Sequence, residues 1–187
     1  MQYEKENAIA EMKKQINNSM KKLNSTTACF TGHRSQKLPW AFNEKDERCL
    51  EMKNTLRMEL VNAIQKGYIT FICGMALGFD MICAETIIEL RNEYPDIKLI
   101  GALPCRTQDR LWKDPDKTRY RRLLDQLDHI RCIYDDYVGK ECMLERNRYM
   151  VNNSSLMIAL FNGQAGGTKS TIDYARKQCL EIVIIKP

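Results

Sequence analysis

Short, almost wholly apolar segments alternate with amphipathic ones along most of this 187-residue chain. The clearest apolar segment is Leu156-Met157-Ile158-Ala159-Leu160, which has no polar position at all. A strand that is apolar at every residue must be buried on both faces, which is the environment of a parallel sheet sandwiched between helices. Strands are expected at 28–31, 68–73, 97–103, 130–134, 155–161 and 182–185, with Pro104 ending the third. Helices are expected at 46–66, 80–93, 116–127, 140–151 and 167–179. The first carries Leu50, Leu56, Leu60 and Ile64 on one face and meets Gly67 as a stop signal. The expected fold is therefore α/β: a Rossmann-like, doubly wound, mostly parallel sheet with helices on both faces.

This pattern occupies residues 26–187, enough for one domain with a sizeable core and short for two. Residues 1–25 stand apart as an N-terminal helical extension, because Ile9, Met12, Ile16, Met20 and Leu23 recur at helical spacing. That stripe packs on its own domain or on a second copy, or the segment is a half-ordered extension; packing, and with it a homo-oligomer, is the reading adopted.

Composition excludes several function classes. The formal net charge of +5 favours an anionic ligand but falls short of the basic stripe of a dedicated nucleic-acid binder. Eight cysteines include no Cys-x-x-Cys pair, and most sit inside apolar runs, as buried reduced thiols do. With two histidines far apart, His33 and His129, no metal site is expected. No apolar run approaches the roughly 18 residues of a membrane helix, and no signal peptide is apparent, so a cytoplasmic protein with no membrane partner is expected.

Ligands of open α/β sheets bind beyond the carboxyl ends of the strands, and three such loops are unusual. The first is Thr31-Gly32-His33-Arg34, where glycine admits close approach and Arg34 can pair with a phosphate. The second is Gly74-Met75-Ala76-Leu77-Gly78-Phe79-Asp80, a strand-to-helix turn whose helix amides suit an anion. Asp80 there either caps its helix or holds a ribose hydroxyl. The third is Asn162-Gly163-Gln164-Ala165-Gly166-Gly167-Thr168, in which Thr168 offers a hydroxyl and an N–H. Arg146, in the helix before the last-but-one strand, either lies on a solvated face or clamps the ligand. Trp40 and Trp112 are read as plugs of the core edge rather than base-stacking platforms. The candidate ligand-binding set is Gly32, His33, Arg34, Gly74, Met75, Ala76, Gly78, Asp80, Arg146, Asn162, Gly163, Gly166, Gly167 and Thr168. Gly74→Val and Gly167→Val are each expected to block the ligand while the fold survives.

Taken in order, Cys29-Phe30-Thr31-Gly32-His33-Arg34, Gly74 to Asp80, Leu103-Pro104-Cys105, Arg146-Asn147-Arg148-Tyr149-Met150-Val151 and Asn162-Gly163…Gly166-Gly167-Thr168 resemble the YpsA-like group of the SLOG superfamily over residues 28–187. That superfamily also holds the DNA-processing protein DprA and the LOG phosphoribohydrolases. The resemblance implies a Rossmann-like sheet whose glycine loops take a nucleotide or nucleotide-derived signal such as NAD or ADP-ribose, a homo-oligomer, and no certain cofactor. LOG hydrolases carry a glutamate two to three residues after the threonine of their glycine loop. Here Lys169, Ser170 and Thr171 follow Thr168. The expectation is thus binding or sensing without catalysis. The alternatives are N-glycosidic hydrolysis with a relocated acid (Asp80, Glu85 or Glu145) and, less favoured, DprA-like binding of single-stranded DNA.

Overall fold

The structure is a computed structural model that describes residue 12 and residues 24–187. Ile9, Ile16, Met20 and Leu23 of the expected N-terminal stripe lie outside the described residues. Six strands follow: β1 Thr27–Gly32, β2 Thr70–Cys73, β3 Lys98–Cys105, β4 His129–Tyr134, β5 Leu156–Leu160 and β6 Glu181–Ile185. Between them lie α1 Glu47–Gln65, α2 Phe79–Leu90, α3 Asp114–Leu124, α4 Lys140–Asn152 and α5 Gly167–Lys177. The strands form one sheet in the order β4-β3-β2-β1-β5-β6, with every neighbouring pair parallel.

Alternation along each strand sends side chains to two separate cores. Ala28, Phe30, Phe71, Cys73, Leu99, Leu103, Ile158 and Leu160 pack with α1, α2 and α3. The residues between them, Cys29, Ile72, Ala102, Met157 and Ala159, pack with Met150 and Val151 of α4 and Ile172 and Ala175 of α5. The doubly wound arrangement follows, because a strand apolar at both parities requires helices above and below. On the first face Phe30 and Phe71 stack with centroids 6.2 Å apart. The edge strands β4 and β6 are less covered and carry polar residues such as His129, Arg131 and Glu181, which suits sheet edges.

The helix ends have local causes. Asp46 caps α1 by accepting a hydrogen bond from the Arg48 N–H at 3.0 Å. Gly67, at φ +95°, turns the chain out of that helix, and its N–H reaches Ile64 O at 2.9 Å. One boundary corrects the sequence reading: β3 does not stop at Pro104 but continues to Cys105. Pairing with β2 ends at Cys73–Gly101, so near Pro104 the strand has only β4 beside it. A residue without an N–H is tolerated where one ladder is already missing.

Six cysteines are buried, Cys132 is partly buried and Cys179 is exposed; all are free thiols. Burial pushes the Cys29 thiol up to about 12 and those of Cys73 and Cys83 well above the ordinary range. They are protonated, unreactive apolar fillers at neutral pH. No helix among the described residues is long and apolar enough to cross a membrane.

Candidate functional site: a two-lobed cleft at the strand-order switch

Strand order reverses beside β1: β2 lies to one side and β5 to the other. The loops leaving β1 and β5 therefore diverge and open a crevice at the carboxyl edge, where doubly wound sheets place their ligands. An inner lobe of about 300 Å³ lies there. Of the fourteen expected residues it is lined by Gly32, His33, Arg34, Ala76, Asp80, Arg146, Gly166, Gly167 and Thr168. Gly74, Met75, Gly78, Asn162 and Gly163 are not among its lining residues. Lys37, Met143 and Asn147 also line it and were not foreseen. Lys37 sits in a polar stretch with no motif around it. Asn147 was adjacent to the arginine singled out, and its amide donates to Thr171 Oγ1 at 2.9 Å.

The floor of the lobe is a buried ionic pair. Arg146, only 6% exposed, projects from α4 and donates through Nη1 to the Gly74 carbonyl. The same nitrogen lies 3.8 Å from Asp80 Oδ2. Asp80, 7% exposed, also accepts from the Ala76 N–H at 3.3 Å. Both readings of Asp80 had left this contact unassigned: the carboxylate closes its own turn and neutralises an arginine. Burial pushes the Asp80 carboxyl up from its ordinary range, against the pull of Arg146, the Ala76 N–H and Arg34. Burial likewise lowers the affinity of Arg146 for its proton, with Asp80 opposing. Arg146 Nε makes no hydrogen bond among the described residues.

The remaining walls are positive and open. The α5 N-terminus has no side-chain cap, and among the described residues no side chain claims its first amides. A Cβ on Gly167 would meet nothing within 4 Å, and one on Gly166 would meet only Lys37 Nζ, at 3.6 Å. Among the described residues neither Arg34 nor Lys37 pairs with a carboxylate. His33 is buried and accepts the Asn162 N–H at Nε2, 3.3 Å away. Burial lowers its pKa, so it stands neutral in the wall and ties the β1 loop to the β5 loop.

The second loop behaves differently. A Cβ on Gly74 would overlap the Arg146 guanidinium, and one on Gly32 would overlap the Phe79 ring. Met75 is fully buried, with φ +54°, and its carbonyl accepts from Gln108 Nε2 at 2.6 Å. The expectation that Gly74→Val spares the fold is therefore corrected: that glycine makes room for the protein's own arginine. Of the three relocated acids considered, Asp80 alone lines the cleft. Glu85 is ion-paired to Arg119 and Arg122, and Glu145 to Arg148.

A larger outer lobe of about 720 Å³ adjoins the inner one and shares Arg34, Gln36, Ala76, Leu77 and Met143 with it. Its far walls come from the segments after β3 and β4 and from the stretch before α1. Trp40 is buried in the core, as expected of a plug. Trp112 is partly buried, packs edge-on against Tyr120 at 5.0 Å, and lines the outer lobe.

The pattern of the YspA SLOG family, YpsA, matches residues 28–182. The chain belongs to that family. Among YpsA-like relatives, a UPF0398 protein of Brevibacillus brevis is 30% identical over 128 residues, covering 68% of each chain. The SPbeta prophage-derived protein YoqJ of Bacillus subtilis is 30% identical over 148 residues, covering 73% of this chain and 86% of its own. In three dimensions the YpsA fold is similar to DNA processing protein A of Helicobacter pylori, with a TM-score of 0.59 at 18% identity. That likeness covers 89% of this chain and 67% of that one. The DprA of Streptococcus pneumoniae gives 0.60 at 14% identity over 87% of this chain, which spans half of that protein. These likenesses establish a shared Rossmann-like fold. The Helicobacter protein is described as binding single-stranded DNA.

Proposed function

We propose that this protein binds a phosphate-bearing, nucleotide-derived ligand in the cleft, with a phosphate seated on the N-terminal amides of α5. The observation that carries this reading is the convergence on one lobe of three positive features that no acidic side chain among the described residues neutralises. They are the uncapped α5 N-terminus, the Lys37 ammonium beside it and the Arg34 guanidinium. Among the described residues the one acid lining that lobe is Asp80, already engaged by Ala76 and Arg146, so the lobe keeps a net positive charge. A helix N-terminus with adjoining cations is an anion site on physical grounds. Mononucleotides, ADP-ribose and NAD all present the required group.

Binding or sensing without chemistry is the favoured form, because no carboxylate stands two to three residues after Thr168 and Asp80 is committed to its structural partners. Calorimetry of the full chain with AMP, ADP-ribose and NAD tests the reading. Micromolar binding by at least one of them, weakened roughly tenfold or more in Lys37→Glu, is expected, since a charge-assisted contact is reversed. Absence of binding by all three, or unchanged affinity in the variant, overturns it. Release of free base from any of these nucleotides, abolished in an Asp80→Asn variant that still melts as a folded protein, would instead support hydrolysis.

A second reading is favoured by the DprA-like fold: the same anion site takes the backbone of single-stranded DNA. Gel shifts with an oligonucleotide at increasing salt separate the two, because several phosphate contacts give a steep salt dependence. Assembly as a homo-oligomer through residues 1–25 is a further part of the proposal. Light scattering of the chain with and without residues 1–24 tests it, and an unchanged mass refutes that role for the segment.

A further inference from the structure

The outer lobe has the makings of a recognition site for a flat aromatic group. Three of its lining side chains are large, apolar and strongly exposed: Phe42 at 64%, Leu111 at 89% and Tyr137 at 54%. Single exposed apolar residues need no explanation, but several gathered around one concavity mark a binding surface. Trp112 adds a further face, already fixed by its edge-on contact with Tyr120. Cations are interleaved with these groups. Among the described residues Arg34, Arg110 and Lys113 line the lobe against one acid, Asp116. Aromatic faces among cations suit a nucleobase with its attached phosphates better than a lipid or an apolar peptide.

The walls are held in place, so the exposure belongs to the folded architecture. Glu44, two residues from Phe42, is paired with Lys53 of α1 at 2.7 Å and with Arg119 of α3 at 2.6 Å. Gln108 is tied to the Met75 carbonyl. Thr107 donates to Asp136 Oδ1 at 2.6 Å, which joins the segment after β3 to the loop that carries Tyr137. A prebuilt cavity loses less entropy on binding than one that must assemble. The residues shared by the two lobes make one continuous cleft.

We infer that the outer lobe is the nucleobase subsite of the ligand whose phosphate occupies the inner lobe, the base resting on the exposed faces of Phe42 and Tyr137. This assignment rests on the phosphate reading above and adds what that reading leaves open, namely where binding energy beyond the phosphate comes from.

The test compares AMP, ADP and ADP-ribose with ribose 5-phosphate, which lacks the base, on the full chain by calorimetry. At least one adenine ligand should bind roughly tenfold or more tightly than ribose 5-phosphate, the scale of one base stacked on an aromatic ring. Phe42→Ala combined with Tyr137→Ala should erase that advantage and leave ribose 5-phosphate unaffected. Both positions are more than half exposed, so thermal melts should match the parent. Leu111→Ser, at a still more exposed position, provides a second variant expected to reduce the same advantage. If ribose 5-phosphate binds but the base adds nothing, or the advantage survives in both variants, the inference falls and the phosphate reading stands. If no probe binds, both fall. Binding of an oligothymidylate but of no mononucleotide would assign the lobe to single-stranded DNA and overturn the small-ligand form.

Discussion

The loops after β2 and β5 look alike in sequence, for each is a glycine-rich turn between a buried strand and a helix, yet the structure uses them in opposite ways. At Gly74 the missing side chain is replaced by Arg146, and the Ala76 amide behind it is consumed by Asp80. At Gly78, with φ +97°, a side chain would press on the backbone of Arg34 and Ser35. At Gly167 a side chain would meet open space, and the helix behind it has no cap. The first loop is a packing joint, and the second is exposed to whatever enters the cleft. Glycine richness alone does not distinguish them. What distinguishes them is whether the protein itself fills the space and claims the amides.

That contrast is broken most severely at the buried pair. Asp80→Ala should leave Arg146 charged, buried and uncompensated, and should free the Ala76 amide. A loss of about 3–5 kcal/mol in unfolding free energy is expected, the usual cost of removing one partner of a buried pair. Urea unfolding of the variant and parent measures it. A loss below about 1 kcal/mol would mean that water already screens the pair. Gly74→Val should destabilise the fold by the same route, by about 1–3 kcal/mol from overpacking alone.

The complementary change is Gly167→Val. Here the melting temperature should move little, while affinity for the phosphate-bearing ligand drops roughly tenfold or more, because bulk is added where amides must approach an anion. Calorimetry and a thermal melt on the same sample check both halves. If Gly167→Val unfolds the protein or Gly74→Val leaves it intact, the two loops have been assigned the wrong way round.

Much of the scaffold was legible in the sequence because the two faces of a parallel sheet leave a direct record. Wholly apolar strands such as 156–160 cannot be anything but buried, and helical spacing gave the five α-helices that follow β1, though not the 3-10 turn at Ser35–Lys37. Pro104 misled because tolerance for proline depends on which neighbour a strand has lost, a property of topology rather than of the residue. The candidate site was legible to the level of loops. Which loop faces the cleft was not, since it turns on Arg146 reaching 72 positions back along the chain to Gly74. Lys37 was invisible for a related reason: only the fold brings it to the end of α5. The far walls of the outer lobe come from connecting segments that carry no glycine loop, and only their juxtaposition gives Phe42, Leu111 and Tyr137 a common meaning.

The smallest expected effect concerns His33, where the β1 and β5 loops meet. Its Nε2 accepts the Asn162 N–H, and an acceptor nitrogen carries no proton. Burial lowers its folded-state pKa below the ordinary 6.5. A histidine that resists protonation when folded but not when unfolded stabilises the fold fully above pH 6.5. That contribution declines as the pH falls below 6.5 and through the lowered folded value, because the unfolded chain then takes up more protons. The parent should therefore melt at a lower temperature at pH 5.5 than at pH 7.5. His33→Gln, which has no group titrating in that range, should show a smaller difference between the two. Ligand affinity should not follow the fall in stability. Burial holds the folded His33 neutral, and the diphosphate of ADP-ribose stays ionised at both pH values, so its affinity measured by calorimetry should change little between pH 7.5 and pH 5.5 even as the fold weakens. A fall in affinity that matches the fall in stability would show that the Asn162–His33 link shapes the anion site, and that charge alone does not.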